Sequence, residues 1–164
     1  MVAPTPDVWA TLLPVIIGGF IGLAGGLLGP PLTHWLNQDA AKRAARRARL
    51  EELMIVLYDY DHWLDSKKTE AVFAGPAVTT ASPLPRAQAI AAIYFPSVGD
   101  DVSEVGLLGQ QYQVWMFQRA QARLQGQIQE LNEGLEAAWQ PYYRALMTLQ
   151  SRLIALAHKE RFSS

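Results

Sequence analysis

The sequence predicts an all-α protein: a single N-terminal transmembrane helix followed by a cytoplasmic helical hairpin or small bundle of long helices. Three observations predict it. Val8 to Gln38 runs without an Asp, Glu, Lys or Arg, and a helix needs only about twenty apolar residues to cross a bilayer core. Beyond it, apolar residues recur in steps of three and four, the period that gathers them on one side of a helix. No stretch shows the strict alternation of a half-buried strand.

On this reading the 164 residues divide into a tail and anchor, residues 1–38, and one modest cytoplasmic domain, residues 39–164. The net charge of −1 hides an asymmetry: the first 49 residues carry five bases against Asp7 and Asp39, and the rest carries nine bases against thirteen acids. An acidic domain lacks the positive surface that neutralises phosphates. With neither a glycine-rich phosphate loop nor an aromatic-basic platform, nucleic acid is not an expected partner. The absence of cysteine excludes disulfides, thiolate metal sites and a thiol nucleophile.

The apolar run differs from a cleaved signal peptide, which places its bases before a short apolar stretch; here no base precedes Lys42. Bases are retained on the cytoplasmic side of a span, so Lys42, Arg43, Arg46, Arg47 and Arg49 put the N-terminus outside and the domain inside the cell membrane. Trp9 and Trp35 are 26 residues apart, about 39 Å along a helix at 1.5 Å per residue, and suit the two headgroup layers. Pro30 and Pro31 predict a kink or break near the inner end, since neither donates a backbone hydrogen bond. Thr33 and His34 then fall at the inner interface.

Gly18, Gly22 and Gly26 stand at four-residue spacing, with Gly25 and Gly29 on a neighbouring stripe. Small residues so spaced let helix backbones approach closely in lipid, a glycine-zipper pattern that predicts self-association. The same glycines also describe a merely flexible span. The five bases share neighbouring faces of the next helix and, with Trp9 and Trp35, are expected to contact lipid headgroups; about 1 kcal/mol per base is available near an anionic surface.

The cytoplasmic chain opens with a helix expected from Ala40 to about Lys68, its stripe running Leu50, Leu53, Leu57, Tyr60 and Leu64. Prolines 76, 83, 85 and 96 break the next stretch into loops. A short helix fits from Pro83 to Tyr94, with Ser82 as its cap and Ile90, Ile93, Tyr94 and Phe95 as its packing end. Asp101 to Glu104 reads as a capping box that opens a second long helix through Leu108, Tyr112 and Trp115. Its stripe restarts at Leu124 and runs through Ile128, Leu131, Leu135 and Ala138 to Tyr142, Leu146, Leu149, Leu153 and Leu156, with Pro141 as the expected kink or division. Between Gln110 and Gln150 ten glutamines face six charged residues. Such a neutral face can pair with another helix without desolvating ions, in the manner of a coiled-coil seam, or simply remain wetted.

Chemistry is sparse. Asp59, Asp61, His62 and Asp65 form the densest titratable group, but a divalent ion needs three or four converging ligands with their supports. The other imidazole–carboxylate pair is His158 with Glu160. No serine elbow, metal-binding histidine pair or phosphate loop occurs, so no catalytic residue, metal or cofactor is expected. The plan resembles that of short single-span proteins of the bacterial inner membrane with helical cytoplasmic tails, a likeness of architecture carried by no diagnostic motif. The expected function is a membrane-anchored assembly or scaffold protein that forms homo-oligomers or docks a membrane or cytoplasmic protein partner. The alternative is a membrane-active effector or oligomeric channel whose glycine-rich span lines a pore.

Overall fold

The computed structural model describes the backbone of residues 8–162 and the side-chain surroundings of residues 38–159. Among the described residues every regular element is helical: α1 (Val8–Phe73), α2 (Leu84–Tyr94), α3 (Gly99–Leu124) and α4 (Leu135–Phe162), with single 3-10 turns at Pro96–Val98 and Ile128–Glu130. The chain divides into two units, Met1–Ala44 and Ala45–Ser164.

In the first unit the backbone of α1 is helical across Pro30 and Pro31, so the break expected there does not occur. Proline fixes φ near the helical value and removes a donor rather than the helical geometry itself. The side chains of the uncharged run, including Trp9, Trp35 and Gly18, Gly22, Gly25, Gly26 and Gly29, lie outside the described residues. Among the described residues no helix is long and apolar enough to cross a membrane.

The second unit is a helical bundle. The C-terminal part of α1 turns Leu50, Leu53, Leu57, Tyr60 and Leu64 into its core, the whole of the predicted stripe, and adds Val56 and Val72. The helix ends where Ala74 takes a left-handed φ of 55°, and the Gly75 N–H donates to the Thr69 carbonyl at 2.9 Å. The proline-rich loop beyond is tied back along α1: the Trp63 indole N–H donates to the Thr80 carbonyl at 2.9 Å, and the Lys67 ammonium to that of Val78 at 3.1 Å.

Ser82 accepts the Leu84 N–H at 3.3 Å, but α2 begins at Leu84 with Pro83 as its N-cap, one residue later than predicted, so Ser82 stands just before the cap. Ile90 and Phe95 pack inward, but Ile93 is 71% exposed and Tyr94 is also outside. The buried face of α2 is set by Leu84, Ala87 and Ala91, and Ile93 lies on the other side of that helix. An ion pair of 2.6 Å joins Arg86 of α2 to Glu52 of α1.

The capping box at Asp101 is not formed. Helix α3 already begins at Gly99, and the Asp101 carboxylate instead accepts both short hydrogen bonds, 2.6 Å each, from the Arg152 guanidinium of α4. Val102, Val105, Tyr112, Trp115 and Met116 are buried. Gly109 is required by packing: a Cβ there would overlap the Tyr60 hydroxyl.

The division of the C-terminal helices also falls elsewhere than predicted. Gly126 and Gly134 adopt φ of 80° and 71°, values that favour glycine, and the chain turns between them. Pro141 sits inside α4. Leu124 and Ile128, read from the sequence as a restarted core stripe, are exposed; Leu131, Tyr142, Leu146, Leu149 and Leu153 are buried. The turn is held by the Trp115 indole N–H on the Glu133 carbonyl, 2.8 Å, and the Arg119 guanidinium on that of Glu130, 2.9 Å.

Candidate functional site

The titratable cluster of α1 is split by the bundle. Asp61 and Asp65 face α4: the Tyr142 hydroxyl donates to Asp61 Oδ1 at 3.0 Å, and Lys68 pairs with Asp65 at 2.5 Å. Asp59 and His62 line a separate hollow against the loop at Thr79 and Thr80. Among the described residues no group of three or more His, Asp or Glu gathers as a metal site. His158 is exposed, and the side chain of Glu160 lies outside the described residues.

Asp61 and Asp65 border a cleft of about 370 Å³ walled by Tyr112, Trp139, Tyr142 and Tyr143. Its floor belongs to a run of aromatic rings linking three helices. Trp115 stacks on Tyr112 (5.7 Å between centroids), Tyr112 on Tyr142 (6.3 Å), and Tyr142 meets Tyr60 edge-on (6.2 Å). Burial pushes the Tyr112 hydroxyl up to about 12, and the charges of Asp65 and Asp61 act in the same direction. Burial also pushes Tyr60 up to about 12, with the Gln113 amide acting the other way; the Tyr60 hydroxyl itself has no hydrogen-bond partner of normal geometry. Tyr142 is raised further, by burial first and then by Asp61. At neutral pH these phenols are protonated, and the Tyr142 hydroxyl is the one that donates, to Asp61.

The more distinctive surface is the outer side of α3. Leu107, Val114, Phe117 and Leu124 are 57%, 57%, 71% and 81% exposed. Gln110 and Gln121 fill the intervening positions and are also exposed, so residues 107, 110, 114, 117, 121 and 124 form an unbroken ladder of three- and four-residue steps. Beside this ladder stand Gln111, Gln113, Gln118 and Ala120, none of them charged. The glutamine-rich neutral face was legible in the sequence; Leu107, Val114 and Phe117 within it were missed. Their heptad spacing was the signal, masked by the stripe through Tyr112 and Trp115 that proved to be the inner face.

The five bases expected at lipid headgroups are all exposed. Two of them also reach the C-terminal end of α2: the Arg49 guanidinium lies 5.4 Å from the centroid of the Tyr94 ring, and that of Arg46 lies 5.4 Å from the ring of Phe95, the residue just past the helix. Arg49 further pairs with Glu52 at 2.5 Å, and hydrogen bonds from Arg86 and Arg49 hold the Glu52 carboxyl below its ordinary range. Lys42, Arg43 and Arg47 complete the basic turn. Compared with known protein families, characterised proteins and solved structures, the chain matches none.

Proposed function

We propose that this chain is a single-pass membrane-anchored assembly protein, its N-terminus outside and its helical domain cytoplasmic, and that it acts by self-association. The observation that carries this reading is the outer ladder of α3, where four large apolar side chains stand in water at coiled-coil spacing. Surface apolar residues scattered singly are ordinary, but aligned ones mark an interaction surface. The anchor rests on the uncharged run Val8 to Gln38 and the bases that follow it. The glycine stripe Gly18–Gly22–Gly26 supplies a second, intramembrane contact of the same kind.

The test is the size of the full chain extracted from membranes in mild detergent, by sedimentation or native mass. A defined oligomer is expected, and Phe117→Ser combined with Leu124→Ser lowers its association constant at least tenfold while leaving the thermal midpoint in place. An unchanged oligomer removes the α3 ladder from the reading. Recovery of the chain in the soluble fraction without detergent removes the anchor.

A further inference from the structure

The aromatic cleft between α1, α3 and α4 has no part in the assembly reading, and its charges do not balance. Asp61, Asp65 and Lys68 border it, two carboxylates against one ammonium. Lys68 is drawn to Asp65 at 2.5 Å, so the negative charge left over is that of Asp61. Asp61 is half-buried and forms no ion pair among the described residues. The Tyr142 hydroxyl donates to its Oδ1, which orients the carboxylate but brings no positive charge to it.

The rings of the cleft divide into two sets. Tyr112 is stacked between Trp115 and Tyr142, and Tyr112 and Tyr142 are both buried, so these floor rings are largely taken up by their neighbours. Trp139 and Tyr143, one helical turn apart on α4, stack on each other with centroids 4.5 Å apart and stay 37% and 39% exposed. Each keeps its outer face clear of that contact. An aromatic face carries partial negative charge and attracts a cation held within about 6 Å of its centroid. We infer that this cleft binds a small organic cation bearing a quaternary ammonium group, received by the outer faces of Trp139 and Tyr143 and neutralised by Asp61.

The surroundings select the class of ligand. An anion is repelled by Asp61 and Asp65, and an uncharged apolar molecule would cover the Asp61 carboxylate without pairing it, which is costly. A primary ammonium brings three N–H donors that need acceptors, and the chain's own Lys68 already holds Asp65. A guanidinium pairs best through two parallel bonds to both oxygens of one carboxylate, and Tyr142 occupies one of those on Asp61. A quaternary ammonium has no N–H to satisfy and asks only for ring faces and a nearby negative charge. The cleft volume of about 370 Å³ lies within the roughly 300–1,000 Å³ usual for small-ligand sites. The site lies wholly within the helical unit Ala45–Ser164 and depends neither on self-association nor on the anchor.

The probes are choline and its uncharged carbon isostere 3,3-dimethylbutan-1-ol, titrated into the full chain in a maltoside detergent, which carries no quaternary ammonium of its own. Broadening of the ligand methyl resonances reads binding, and tryptophan emission reads it a second time. Saturable choline binding is expected, about tenfold tighter than that of the isostere. Asp61→Asn removes the charge but keeps an acceptor for Tyr142, and Trp139→Leu changes a partly exposed position. Each is expected to weaken choline binding about tenfold with the thermal midpoint in place. Phe117→Ser on the outer ladder of α3 is expected to leave choline binding unchanged, so this inference and the assembly reading fail separately. The inference is overturned by affinity for the isostere equal to or above that for choline, by choline binding that survives both cleft substitutions, or by no binding of either probe at millimolar concentration.

Discussion

Helices α3 and α4 are of similar length and together make much of the bundle core, yet they use their apolar residues differently. Helix α4 sends Tyr142, Leu146, Leu149 and Leu153 inward on one stripe. Helix α3 has two stripes: Val102, Val105, Tyr112 and Trp115 inside, and Leu107, Val114, Phe117 and Leu124 outside. A stripe that serves only the fold is buried by it. The outer stripe of α3 contributes nothing to the core of the domain, and it is the surface on which the proposed self-association rests.

The comparison breaks most sharply on truncation. Leu149→Ala, which empties a fully buried site on α4, is expected to destabilise the domain by about 2–5 kcal/mol, whereas Phe117→Ala on the outer stripe shifts monomer stability by no more than about 0.5 kcal/mol. Denaturant midpoints at low protein concentration read both. Equal losses would mean that the outer stripe belongs to the fold.

A smaller effect tests the inner face of α3. Gly109→Ala places a methyl group against the Tyr60 hydroxyl and is expected to cost about 1–3 kcal/mol, the usual range for overpacking. A thermal midpoint within experimental error of the natural chain would show that α1 and α3 are less closely apposed than described.

The smallest concerns the hydrogen bond between α4 and α1. Tyr142→Phe removes the donor to Asp61 and is expected to lower stability by about 1 kcal/mol at neutral pH. Burial raises the Tyr142 pKa in the folded chain, so above about pH 10 the unfolded chain loses the phenolic proton while the folded chain keeps it. Stability contributed by the protonated phenol is complete below pH 10 and declines above it. The deficit of Tyr142→Phe therefore narrows in alkali, measured as the difference in denaturant midpoint between pH 8 and pH 11. A constant difference would show that Tyr142 titrates normally.

Helices and inward stripes were readable because a helix face is a local property. Leu50 to Leu64 and Tyr142 to Leu153 follow from the repeat of 3.6 residues per turn, whatever packs against them. The candidate site was less readable. Asp61 was visible as one of four titratable groups, but its partner Tyr142 stands 81 positions away, and no spacing rule connects them. Asp101 illustrates competition: a carboxylate at the start of a helix suits a cap, yet a guanidinium from another helix offers two charge-assisted hydrogen bonds and takes it instead.

By itself the sequence determined the all-helical class, the proline-rich loop before α2, the short α2 itself, and the core stripes of α1 and α4, all consequences of local periodicity and backbone restriction. The inward stripe of α3 through Tyr112 and Trp115 was also legible; only the tertiary structure showed that α3 carries a second apolar stripe left outside. The side bearing Gly109 lets a neighbouring helix come close enough for Tyr60 to seat against the backbone, and the side bearing Phe117 does not. The same holds for the turn before α4. Proline is compatible with helical φ, so Pro141 stays within its helix, while the left-handed turn falls at Gly126 and Gly134, where no Cβ opposes it. Packing choices of this kind depend on residues far apart in the chain, and it is they that leave the outer ladder of α3 in view.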